Sequence, residues 1–192
     1  MNYKFDPTKD AWWGEDHYDN QSKLKSFFNP DLPFRFLEVG TFEGRSSVWF
    51  LDNLLTHPLS EMWCIDQEFS DNGRYNLSQH GTKVTMIEEF SDDALSRMMS
   101  THKSYFDLIY VDGDHLAPNV ILDLVLSWRL LKPGGYLLID DFFVKATDKC
   151  FDHLRGKVPI IPPEPAMTAF RNLYRGLYDV IFTNAQMCLQ KK

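Results

Sequence analysis

From residue 35 onward the apolar positions of the chain fall into two alternating kinds of run. Short, nearly continuous apolar stretches occur at 35–39, 62–65, 83–87, 107–111 and 136–139, each bounded by polar residues or glycine. Runs of this length and flanking predict five strands buried on both faces. Between them the spacing changes to three and four: Val48, Leu51, Leu54 and Leu55 form one stripe, as a core-facing helix requires. The interval 71–79 is less periodic. Ser91 reads as the N-cap of a further helix, with Asp92 and Asp93 in its first turn and Leu95, Met98 and Met99 facing inward. The clearest helix carries Ile121, Leu124, Val125, Trp128 and Leu131, with Pro118 in its first turn and Pro133-Gly134-Gly135 as its stop. Strands alternating with helices predict an α/β fold, a doubly wound, mostly parallel sheet with helices on both faces.

The flanks differ from this core. Residues 23–28 read as the end of a short helix, stopped by Asn29-Pro30, and the four prolines within 159–165 predict an irregular loop. Two apolar runs, 178–182 and 185–189, predict a closing antiparallel hairpin. The expected organisation is one domain over 1–192: an N-terminal helical segment (1–30) over the pocket, a core (35–143), and a Pro-rich loop with the hairpin (156–192).

Composition narrows the partners. Of 192 residues, 44% are hydrophobic, enough for a substantial core. The formal net charge of −7 repels a polyanion, so nucleic acid is not an expected partner. Cys64, Cys150 and Cys188 form no C-x-x-C pair and read as reduced thiols. No signal-like or membrane-spanning apolar run is present, so the expectation is a soluble cytoplasmic protein without a membrane partner. The oligomeric state, a homodimer included, is left open.

In doubly wound sheets ligands sit beyond the carboxyl ends of the strands, so the loops there carry the chemistry. The first reads Glu38-Val39-Gly40-Thr41-Phe42-Glu43-Gly44-Arg45-Ser46-Ser47. Its glycines suit a tight turn approaching a ligand. A nicotinamide-binding loop wants glycine where this chain has Phe42 and Arg45, which disfavours a dehydrogenase. Asp66 ends the second run 22 residues after Gly44, where a carboxylate suits the ribose hydroxyls of an adenosine. The fourth run ends in Asp112-Gly113-Asp114-His115 and the fifth in Asp140-Asp141. If those strands are neighbours, like charges converge and either raise each other's pKa or recruit a cation. A hard ion such as Mg²⁺, held by Asp112, Asp140 and Asp141, is the simplest partner.

The pattern resembles the class I S-adenosylmethionine-dependent methyltransferases, with their Rossmann-like fold. Gly40-Thr41-Phe42-Glu43-Gly44-Arg45-Ser46 looks particularly like the small metal-dependent O-methyltransferases, and the resemblance covers about residues 35–143. It implies that Glu38, Gly40, Phe42, Gly44 and Ser46 surround the methionine part of S-adenosyl-L-methionine. Asp66, with Gln67 beside it, holds the ribose, Phe90 and Ser91 flank the adenine, and Asp112 completes the cofactor set. Val111-Asp112-Gly113-Asp114-His115 and the later Ile139-Asp140-Asp141 are closest to the macrocin-type sugar O-methyltransferases, and catechol-type relatives carry a lysine where His115 stands. The resemblance makes His115 the general base toward a hydroxylated small-molecule acceptor, sugar or catechol-like, with Mg²⁺ or another divalent cation assisting. Trp12, Trp13, His17 and Tyr18 form a candidate aromatic wall, and 159–167 a candidate lid. A methyltransferase without metal and a non-catalytic cofactor-binding module remain alternatives.

Overall fold

The computed structural model describes residues 1–8 and 15–192. Its elements are α1 (Glu15–Lys25), β1 (Arg35–Val39), α2 (Arg45–Asn53), β2 (Glu61–Asp66), α3 (Asp71–Ser78), β3 (Val84–Glu88), α4 (Ser91–Met98), β4 (Phe106–Val111), α5 (Ala117–Leu130), β5 (Leu131–Ile139), α6 (Glu164–Leu173), β6 (Tyr178–Thr183) and β7 (Met187–Lys191). The strands form one sheet in the order β3-β2-β1-β4-β5-β7-β6. The first five are parallel, and β7 runs antiparallel to both β5 and β6. The strand order reverses between β1 and β4, which opens a crevice at their carboxyl ends.

Side-chain alternation along the strands builds two cores. Leu37, Val39, Ile65, Ile109, Val111, Leu137 and Ile139 face one side, where α4, α5 and α6 cover them through Leu95, Leu124, Trp128 and Phe170. Phe36, Met62, Cys64, Leu108, Tyr110 and Leu138 face the other, against Leu24 of α1, Phe50 and Leu51 of α2, and Leu77 of α3. Glu38 lies on this second face by the same alternation. It is the one carboxylate in β1, and it is fully buried.

The structure bears out the doubly wound sheet and its hairpin and corrects several local expectations. The weakly periodic 71–79 interval is a helix, α3, capped by Ser70 Oγ accepting from the Gly73 amide at 3.0 Å. Ser91 is not the N-cap of α4 but its first residue, and Phe90 precedes it in extended conformation. The N-terminal helix ends at Lys25, short of Phe28. α5 stops at Leu130 and passes directly into β5, which includes Pro133-Gly134-Gly135. The loop expected over the prolines is cut short because Pro165 sits in the first turn of α6, where its missing N–H costs nothing. The hairpin strand read as 185–189 is β7, two residues later. Asn184 and Gln186 close the turn, the Asn184 amide donating to the Gln186 carbonyl at 2.8 Å and the Gln186 amide to Asn184 Oδ1 at 2.9 Å.

Candidate functional site

The loop after β1 is shaped by close approach to β4. Gly40 has φ +86°, and a Cβ there would lie 2.1 Å from the Asp112 carbonyl oxygen, so no other residue fits. Asp66, at the end of β2, holds the loop: its Oδ2 accepts from the Thr41 and Phe42 amides at 2.9 and 2.8 Å. This rewards the positive φ of Phe42, +51°. Oδ1 of Asp66 accepts from the Glu68 amide at 3.2 Å. A carboxylate offers about four acceptor sites, so among the described residues one remains for a ligand on Oδ1.

Glu38 stiffens the same loop from beneath. Ser46 donates to it at 2.5 Å, and Ser47 and Thr41 donate to its other oxygen. Burial pushes its pKa up to about 7 even though these hydroxyls work the other way. Glu38 is fully buried beneath the loop and borders neither lobe of the cleft described below.

The crevice is one continuous cleft with two lobes that share Gly40, Phe42, Asp66, Gln67, Gly113, His115 and Cys150. One lobe, about 880 Å³, extends past Phe90, Ser91, Asn119 and Asp123. The other, about 740 Å³, is bordered by Ser46, Asp112, Asp140, Asp141, Phe143 and His17. Phe42 is 41% exposed and Phe90 65% exposed, apolar surface presented to the opening. The Pro-rich segment is absent from both linings. The cover comes instead from a single 3-10 turn, Lys149–Leu154, through Cys150, Phe151 and His153. His17 of α1 reaches the second lobe as part of the expected N-terminal wall; Trp12 and Trp13 lie outside the described residues.

β4 and β5 are neighbours, so their carboxylates converge. One ligand atom from each of Asp112, His115 and Asp141 lies within 4.8 Å of the others, a group able to hold a metal ion. His115 Nε2 is 2.7 Å from an Asp141 oxygen, and this pairing, against burial, raises the histidine pKa. Asp141 adopts φ +62°, which turns its side chain back toward the cleft. Asp140, read from sequence as a third ligand, is instead turned to protein donors. Its Oδ2 receives Tyr110 Oη and Gln186 Nε2 (2.8 Å) and lies 3.3 Å from His17 Nε2, while Oδ1 accepts from the Asp141 amide at 2.8 Å. Burial works against its charge, but these donors hold it below the usual carboxylate range. Asp112 goes the opposite way, raised well above that range by burial and by the charges of Asp140 and Asp141. Tyr110 contacts both Asp112, at 3.1 Å, and Asp140, and has one proton to give. The donor set and its pent-up negative charge fit a divalent cation.

Tyr110 and Gln186 gave no sequence signal, since one lies inside a buried run and the other in a hairpin turn. Asp114 is a helix-entrance group: it accepts from the Leu116 amide at 2.6 Å and from Asn119 at 2.7 Å.

Residues 37–142 match a family described as a methyltransferase domain. More than half of the chain is covered. The protein belongs to this methyltransferase-domain family. Among curated relatives, it is 29% identical over 131 residues to an uncharacterized protein of Acanthamoeba polyphaga mimivirus (66% of this chain, 59% of the relative). It is also 29% identical over 120 residues to an O-methyltransferase of Aspergillus hancockii (62% and 46%). The matches thus span roughly half the length of these relatives. Of solved structures, the O-methyltransferase TomG of Streptomyces achromogenes, in complex with SAM, superposes with TM-score 0.66 at 19% identity, over 100% of this chain and 93% of TomG. MycE, a methyltransferase of the mycinamycin pathway in complex with Mg, SAH and mycinamycin VI, gives 0.62 at 15% identity, over 93% and 50%. An N1-methyltransferase of Burkholderia thailandensis, with 1,6-didemethyltoxoflavin and S-adenosylhomocysteine, gives 0.65 at 15%, over 96% and 80%. At these identities the structural likeness concerns the fold.

Proposed function

We propose that this protein transfers the methyl group of S-adenosylmethionine to a hydroxyl of a small molecule, a sugar or a catechol-like acceptor, with a divalent cation assisting. The observation that carries the reading is the two-lobed cleft, in which the Gly40 loop, pinned by Asp66, faces the Asp112, His115 and Asp141 group. The family membership and the O-methyltransferase relative favour the same chemistry.

When bound, the cofactor supplies an electrophilic sulfonium methyl and the cation a Lewis acid that acidifies the acceptor hydroxyl. The chain does the rest. Gly40, Phe42, Gly44 and Ser46 place the methionine portion. Asp66 and Gln67 take the ribose, the single acceptor left on Asp66 Oδ1 limiting it to one strong bond. Phe90 and Ser91 flank the base. Asp112 and Asp141 are the oxygen ligands for the cation, and Asp140, held by Tyr110, Gln186 and His17, adds to the negative field around them. His115, whose Nε2 is paired with Asp141 at 2.7 Å, would take the proton of the acceptor hydroxyl when the cofactor is bound. The chain's main contribution would be to position acceptor and cofactor against each other.

The test is methyl transfer from labelled S-adenosylmethionine to a panel of sugars and catechols, with Mg²⁺ or with chelator. Transfer that the chelator abolishes is expected, and His115→Ala is expected to lose roughly 10²- to 10⁴-fold in turnover while keeping cofactor affinity. Full activity of His115→Ala would remove that residue from the mechanism. The 2.7 Å His115–Asp141 pair favours a second reading, a base that works without metal; chelator-resistant transfer that still needs His115 would select it.

A further inference from the structure

The lobe of the cleft that opens beside the candidate metal group has a wall of one charge. Asp66, Asp112, Asp140, Asp141 and Asp148 border it, and among the described residues neither lobe is lined by a lysine or an arginine. The two histidines of this lobe are committed to its acids, His17 to Asp140 at 3.3 Å and His115 to Asp141 at 2.7 Å. Arg155, which follows the covering 3-10 turn, does not border the cleft; its guanidinium donates to Asp152 at 2.8 Å and to the carbonyls of Ala146, Thr147 and Asp148. A cleft lined by one sign of charge focuses the field and concentrates counter-ions. An acceptor bearing a carboxylate or phosphate would enter against that field with no cationic side chain to meet it.

Four of these acids are already engaged. Asp66 holds the loop amides, Asp112 and Asp141 belong to the metal group, and Asp140 is enclosed by Tyr110, Gln186 and His17. Asp148 is not: one of its oxygens accepts from the Lys145 amide at 2.9 Å, and among the described residues the other has no hydrogen-bond partner. Its charge is felt inside the cleft. Burial, and then the charges of Asp141 and Asp148, push up the thiol of Cys150, which borders both lobes. Phe143 lines the same lobe and is 62% exposed, an aromatic ring left open to whatever enters. A carboxylate with a free oxygen and an open ring are the two partners that an ammonium group takes, one through charge and the other through the ring quadrupole. We infer that the acceptor is cationic, a hydroxylated small molecule that bears an ammonium group, and that Asp148 and Phe143 are the residues that select it. The inference rests on reading the cleft as a methyl-transfer site, with the acceptor hydroxyl at the Asp112, His115 and Asp141 group and the ammonium further along the same lobe.

The test is calorimetric titration of the full chain, loaded with S-adenosylhomocysteine in the presence of Mg²⁺, with catechols that differ chiefly in the charge of one short side arm: dopamine (ammonium), hydroxytyrosol (neutral hydroxyl) and homoprotocatechuate (carboxylate). Glucosamine, glucose and glucuronate form the corresponding sugar series. In whichever series binds, wild type is expected to prefer the ammonium member over the neutral one by about tenfold and to bind the carboxylate member most weakly. Asp148→Asn keeps an acceptor for the Lys145 amide, and Phe143→Leu keeps the apolar surface; each is expected to bring the ammonium-to-neutral ratio within about threefold. A wild-type ratio near one, a preference for the carboxylate member, or binding of neither series overturns the inference. So does an undiminished ratio in both variants, because the charge of the whole protein and not this pair would then be its source. Failure of wild type to take up S-adenosylhomocysteine overturns the methyl-transfer reading along with it.

Discussion

Two residues of β1 and its loop set the local physics of the site. Gly40 is fixed by sterics: Gly40→Ala drives a methyl into the Asp112 carbonyl and should cost more than about 3 kcal/mol, read as a fall in thermal midpoint. An unchanged midpoint would mean that β1 and β4 do not abut as described. Glu38 is fixed by electrostatics. Its carboxyl stays protonated in the fold up to about pH 7, whereas in the unfolded chain it ionises near 4.5. Between those values the unfolded state binds fewer protons, so stability present at low pH is lost as pH rises through that window, by about 3 kcal/mol, and levels off above it. Glu38→Gln removes this linkage, so its stability should fall less between pH 4.5 and 7; parallel curves for variant and wild type would refute it. The sequence marked both residues, because an acid and a glycine interrupting an apolar strand end are conspicuous. What Glu38 does was not legible, since that depends on which face of β1 meets Ser46 and Ser47.

Among the elements, α1 and the β6–β7 hairpin are joined to the site by one buried polar chain. Asn20 donates to Asn184 Oδ1 at 2.9 Å and to Gln186 Oε1 at 3.1 Å, and Gln186 donates onward to Asp140. Gln186→Leu strips Asn20, Tyr110 and Asp140 of a shared partner and should destabilise by about 2–4 kcal/mol in denaturant titration. It should also speed amide hydrogen exchange in α1 more than in β1 and β4; exchange raised uniformly would show that α1 is not tethered this way. The parallel strands were legible because burial on both faces leaves unbroken apolar runs. α3 was not, because Asn72, Gly73 and Asn76 serve turn and buried polar contacts rather than a stripe. The division of labour between the two acids after β5 was not legible either: Asp141 takes φ +62° and pairs with His115, while Asp140 accepts from Tyr110 and Gln186.

For the whole molecule, the parallel strands set the loops that carry the candidate groups along one carboxyl edge of the sheet, and charge sets who can approach. With a formal charge of −7, the protein should leave the electrophoretic mobility of duplex DNA unchanged at low salt, where a basic patch would show itself most strongly; a retarded band would contradict that. Among the described residues no helix is long and apolar enough to cross a membrane. The central claim is that the cleft holds S-adenosylmethionine beside a carboxylate-bound divalent cation. Its most direct test is calorimetric titration of wild type and Asp141→Asn with the cofactor and, separately, with Mg²⁺; asparagine tolerates the left-handed backbone at residue 141. Wild type should bind both, and the variant should keep the cofactor while losing the Mg²⁺ signal. Cofactor binding with a Mg²⁺ signal that is absent from wild type or unaffected in the variant would contradict the cation site, and no cofactor binding by wild type would contradict the claim as a whole.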